Sequence, residues 1–102
     1  MTAAELHNLG HVYLHLDRVP DAERAFAERL RKTPDSPSAY DAAMTSLNEA
    51  SLAHARGDDS AARHLVDQAT ERLSAAGIEL DPDDAFEVAW LRARLGSQAP
   101  PS

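Results

Sequence analysis

Apolar residues recur with a helical period from the start of the chain. Leu6, Leu9, Tyr13 and Leu16 fall on one stripe of a helix with about 3.6 residues per turn, which predicts a first helix over about Thr2–Leu16. Asp17-Arg18-Val19 reads as a turn, and Pro20 suits the first turn of a second helix, where its missing N–H costs little. That helix directs Ala22, Ala25, Phe26 and Leu30 inward. Asp21 and Glu23 sit at its positive dipole end, and Arg29, Arg31 and Lys32 at its negative end. The prolines of Thr33-Pro34-Asp35-Ser36-Pro37 push the residues before them away from helical angles. Ser36 is the expected N-cap, with Pro37 just inside a third helix that runs to about Arg56. Gly57-Asp58-Asp59 turns the chain into a fourth helix, about Ser60–Ala76, with Ala62, Leu65, Val66, Ala69 and Leu73 on its apolar face. Gly77 fits the left-handed position after a helix end. Asp81-Pro82 opens a fifth helix that carries Phe86, Ala89, Trp90 and Ala93 and ends near Gly96. No segment alternates as a strand would, and 97–102 reads as a disordered tail. Short turns between helices make neighbours antiparallel, so the expected class is all-α, built of helical hairpins.

Composition narrows the setting. A chain of 102 residues fits one domain with a modest core. With 43% apolar but only 5% aromatic residues, Leu and Ala must do most of the packing. The net charge of −7 would repel a phosphate backbone, which argues against nucleic acid as a partner. The densest basic run, Arg29-Leu30-Arg31-Lys32, reads as the complement of a helix C-terminal dipole. Lack of Cys removes disulfide and thiolate chemistry. No apolar run approaches the ~20 residues of a membrane span, and Met1-Thr2-Ala3-Ala4-Glu5 lacks the features of a secretion signal, so a cytoplasmic location is expected. Lys32 is the only lysine, and the bias towards Arg and Ala is a mark of GC-rich bacterial genomes.

Residues 3–36 resemble one tetratricopeptide repeat, a helix–turn–helix unit of roughly 34 residues. The resemblance is carried by Leu6, Leu9-Gly10, Tyr13, Ala22, Phe26 and Pro34, with Asp17 where Gly or Asn is common. Gly10 in mid-helix costs about 1 kcal/mol relative to Ala, which close approach of the second helix near Ala22 and Phe26 would explain. Residues 37–76 resemble a second, divergent repeat through Tyr40, Ala43-Met44, Leu47, Ala62 and Val66. The helix at 82–96 resembles the capping helix of such stacks, with Phe86 and Trp90 expected against Val66, Ala69 and Leu73. Arg56-Gly57-Asp58-Asp59, Gly77-Ile78-Glu79-Leu80-Asp81-Pro82 and the stretch from Asp83 to Leu95 are also similar to the end of tetratricopeptide arrays in actinobacterial transcription regulators. The resemblance implies a right-handed superhelix over 1–96 and a concave groove that holds a peptide segment or helix of a protein partner, within a bacterial regulatory or signalling system.

His7, His11 and His15 recur every four residues, about 100° round from the apolar stripe. In the family this face lines the groove, so His7, Asn8, His11 and His15, with Asn48 of the third helix, are the candidate partner-binding residues. The carboxylate clamp of some tetratricopeptide co-chaperones needs Lys and Arg here, and only Asn8 matches. Asp81-Pro82-Asp83-Asp84 lacks the glycine and distal glutamate of a calcium loop and reads as an acidic helix start. His54, His64 and Asp67 read as surface residues. No nucleophile elbow, phosphate loop or paired acid and base is present, so catalysis, cofactors and a resident metal are not expected. Two alternatives to a peptide-binding module stand: a homodimeric self-assembly element, and a metal- or pH-responsive domain using His7, His11 and His15.

Overall fold

Thr2 opens the first helix, α1 (Ala3–His15), through a capping box: its Oγ1 accepts the Glu5 amide at 3.1 Å and the Glu5 carboxylate accepts the Thr2 amide at 2.8 Å. Asp17 makes the turn out of α1 with φ of 59°, the left-handed region that Asp tolerates better than most residues. The second helix, α2 (Val19–Arg31), has Pro20 in its first turn and no side-chain cap. The third helix, α3 (Ala39–Ala55), starts two residues later than the sequence predicts. Ser38, not Ser36, is the cap, accepting the Asp41 amide at 3.1 Å. Pro37 lies outside the helix, where it holds the approach extended rather than starting the first turn. Asp58 caps the fourth helix, α4 (Asp59–Ala75), and Asp81 caps the fifth, α5 (Pro82–Arg94). The computed structural model describes residues 1–96, so the expectation for 97–102 lies outside the described residues. Among the described residues the chain is all helical, with five helices and no strand.

α1 packs along α2 and α3 along α4, giving two hairpins that meet through α1–α3 and α2–α3 contacts. The main core lies in the second hairpin, where Ala43, Met44, Leu47, Ala50, Ala62, Val66, Ala69 and Leu73 are buried together with Leu91 and Leu95 of α5. The first hairpin closes on Leu6, Ala22, Ala25 and Phe26. A Cβ on Gly10 would stand 2.2 Å from the Phe26 ring, so glycine is what lets α1 and α2 approach this closely.

Three expected core stripes are rotated from where periodicity puts them. On α1 the buried face is Leu6, His7, Gly10 and His11, while Leu16 is 61% exposed. The reason is tertiary: α3 and α5 cover the side of α1 that carries the imidazoles. On α2, Arg29 is buried and Leu30 is 52% exposed. The Arg29 guanidinium donates to Thr45 Oγ1 at 2.9 Å and to the Asp41 carbonyl at 3.2 Å, so it bridges α2 to α3 instead of facing solvent at a helix end. On α5, Phe86 is 56% exposed, Ala89 and Ala93 are exposed, and Trp90 is half-buried. The anchors are Leu91 and Leu95, which join the core of α3 and α4, while Trp90 packs against that core only partly buried and Phe86 stays outside it.

Candidate functional site

Four of the chain's five histidines gather where α1, α3 and α5 meet, three from α1 and His54 from α3. His7 and His15 reach α5, and His11 reaches α3. The space there is not open, because α5 lies in it and presents Asp84 and Glu87 to the imidazoles. His7 Nε2 donates to Asp84 Oδ1 at 2.8 Å, and the Tyr40 hydroxyl of α3 donates to Asp84 Oδ2 at 2.7 Å. The Asp84 backbone amide is itself taken by the Asp81 cap at 2.8 Å. Thus the acidic start of α5 serves two ends: Asp81 caps the helix, and Asp84 ties it to both α1 and α3.

His11 Nε2 lies 2.9 Å from Asn48 Oδ1, and since that oxygen only accepts, the nitrogen carries the proton. His15 Nε2 donates to both carboxylate oxygens of Glu87, at 2.9 and 3.1 Å. The same Glu87 carboxylate stands 3.5 Å from His11 Nδ1. The rings also pack on one another: His7 meets His11 edge-on at 4.8 Å, and His11 meets Phe26 at 5.2 Å. Trp90 is held edge-on by His15 at 4.6 Å, with the Arg94 guanidinium at 4.6 Å from its ring. His54, read from sequence as a surface residue, approaches Trp90 at 6.1 Å and bonds Asp59 at 2.9 Å. Asp67, read likewise, takes Arg92 of α5 at 3.0 Å.

Burial sets the electrostatics. His7, His11, Asn48 and Asp84 are all buried. Burial, with His7 beside it, pushes the His11 imidazole down to about 3 despite the raising effect of the Asn48 bond. Burial would raise the Asp84 carboxyl, but the hydrogen bonds from His7 and Tyr40 outweigh it and leave the group below its ordinary value. Burial and the Asp84 bond both push the Tyr40 hydroxyl up. His7 Nδ1 is buried without a hydrogen-bond partner.

The structure therefore joins four of the five sequence candidates. His7, His11 and His15 form one network with α3 and α5, and Asn48 belongs to it through His11. Asn8 stays exposed on the rim of a cleft of about 280 Å³ shared with His7, Arg29, Tyr40 and Asp84. Sequence reading missed Tyr40, Asp84, Glu87 and Arg29 as parts of this region. Asp84 and Glu87 carried a signal, since they stand one turn apart on α5 and in line with Leu91 and Leu95. The network does not form a chelate, because each imidazole has its own acceptor. Among the described residues no three His, Asp or Glu side chains are arranged so that they could hold a metal ion.

Comparison of the chain with protein-family models, curated proteins and solved structures finds no match. The fold and the network thus carry the functional argument by themselves.

Proposed function

We propose that this chain is a protein-interaction module of tetratricopeptide-like architecture that holds a segment of another polypeptide on the face formed by α1 and α3. One observation carries the reading. That face seats the chain's own α5 through directional polar pairs, with His7 and Tyr40 on the buried Asp84 carboxylate and the partly exposed His15 on Glu87. Buried polar groups cost desolvation that apolar packing avoids, and one attested return is selection of a particular partner and register. The two hairpins and the Gly10–Phe26 approach support the superhelical architecture. The reading assigns the chain no catalytic chemistry and no cofactor. It fits a cytoplasmic bacterial regulatory or signalling role. Among the described residues no helix is long and apolar enough to cross a membrane.

A selection of peptides displayed at random against the purified chain tests this. The expected result is an enriched consensus whose members bind at least tenfold more weakly to His15→Ala, a variant that touches only a partly exposed ring. Selection that yields no consensus refutes the reading. Self-assembly has support from a separate feature: Val12 and Leu16, one turn apart on α1, are both largely exposed. Light scattering separates the two readings, since a dimer independent of concentration would favour assembly.

A further inference from the structure

The groove of a binding module is already filled in this chain by its own fifth helix, and that helix shows what the groove accepts. Asp84, Glu87, Leu91 and Leu95 follow at i, i+3, i+7 and i+11, one continuous face of α5. The acidic half meets His7, Tyr40 and His15. The apolar half enters the core of α3 and α4. We infer that α5 is an exchangeable occupant, and that this face takes in its place a partner protein's helix bearing two carboxylates one turn apart followed by two leucines at the same spacing.

The inference rests on the reading of this face as a recognition surface, and charge and connectivity carry it further. The chain is acidic overall, with a net charge of −7, so most of its surface repels an acidic helix. The α5 site is the exception, because His7 and His15 of α1 and Tyr40 of α3 converge there as hydrogen-bond donors aimed at carboxylates. A helix without the carboxylates would leave His7, His15 and Tyr40 without their partners, and such orphaned groups are what a polar site uses to reject wrong ligands. α5 is tied to the rest of the fold by the short link after Gly77, which has φ of 67°, by its two leucines and by the polar bonds of Asp84, Glu87 and Arg92, while Phe86 on its outer side stays exposed. The tether gives α5 an effective concentration on the order of millimolar. A competing helix therefore enters readily only when the tethered one is weakened.

The single tryptophan supplies the readout, because Trp90 sits on α5 against His15. The probe is a synthetic peptide of residues 80–96 carrying W90F, so that all emission comes from the full chain. The full chain carries Leu91→Ala to loosen its own helix. The expected result is a saturable red shift of Trp90 emission on adding peptide, at concentrations at least tenfold lower than the parent chain requires. Asp84→Asn with Glu87→Gln in the peptide should raise that concentration at least tenfold again, and the complex should weigh one chain plus one peptide. Should Leu91→Ala not fold by circular dichroism, Leu95→Ala takes its place with the same expectations. Absence of a saturable shift up to millimolar peptide overturns the inference. So does equal binding of the peptide without carboxylates, or a doubled chain mass that peptide does not reverse, which would make the occupant a second copy. If displayed peptides yield a consensus that binds while Trp90 emission stays unchanged, the interaction reading stands and only the exchange of α5 falls.

Discussion

Replacing Gly10 with alanine sets two effects of known size against each other. Glycine in a helix interior costs about 1 kcal/mol relative to alanine, so the local effect of Gly10→Ala is stabilising. The added methyl group would stand 2.2, 2.6 and 2.7 Å from three atoms of the Phe26 ring, where ordinary contact begins at 3.4 Å. The ring has to retreat by roughly 1 Å, and overpacking of this kind typically costs about 1–3 kcal/mol. The ring is buried and packs on the His11 ring, which is fixed in turn by Asn48, but it also borders a cleft of about 230 Å³ beside Leu30 and Leu52 that gives it part of the room it needs. The strain outweighs the helical gain, and the expected net loss is up to about 2 kcal/mol, or at most roughly 8–16 °C in Tm for a domain of this size. Thermal unfolding followed by circular dichroism measures it. Phe26→Leu in the same chain should recover part of the loss, with a coupling above about 0.5 kcal/mol between the two sites. A Gly10→Ala chain that melts at or above the parent would show that α1 and α2 do not rely on this contact.

Leu91→Ala should cost about 2–5 kcal/mol, since the side chain is fully buried in the core of α3 and α4. Phe86→Ala should stay within about 0.5 kcal/mol, because its ring is mostly exposed. Denaturant titration orders the pair, and the reverse order would return the anchor to the aromatic residues. Acid should destabilise the fold through His11. Its folded pKa of about 3 lies below the unfolded value near 6.5, so the unfolded chain binds the extra proton as pH falls through that window. Stability then drops by about 2 kcal/mol between neutral pH and pH 5. The Asp84 carboxyl, also held below its ordinary value, adds to the loss at lower pH. Urea midpoints should lose much of their slope between pH 4 and 6.5 in His11→Gln, and an unchanged slope would place the titration elsewhere.

Helix number and order follow from local chemistry that the sequence displays. Caps at Thr2, Asp58 and Asp81, prolines at 20 and 82, and left-handed residues at Asp17, Gly57 and Gly77 act within a few residues of themselves. The mid-helix glycine gave away the α1–α2 approach for the same reason, since only a neighbour at close range makes its cost worthwhile. The His stripe was visible too, because a spacing of four sets a face without reference to the rest of the chain.

What covers that face was decided only by tertiary structure. Periodicity ranks sides of a helix by apolarity, and it sent Leu16, Leu30 and Phe86 inward where the fold leaves them out. It sent His7, His11 and Arg29 outward, where α5 and α3 bury them, because their partners Asp84, Asn48 and Thr45 lie 77, 37 and 16 residues away. A polar side chain becomes tolerable in the interior only when such a distant partner arrives, and no local pattern records that arrival.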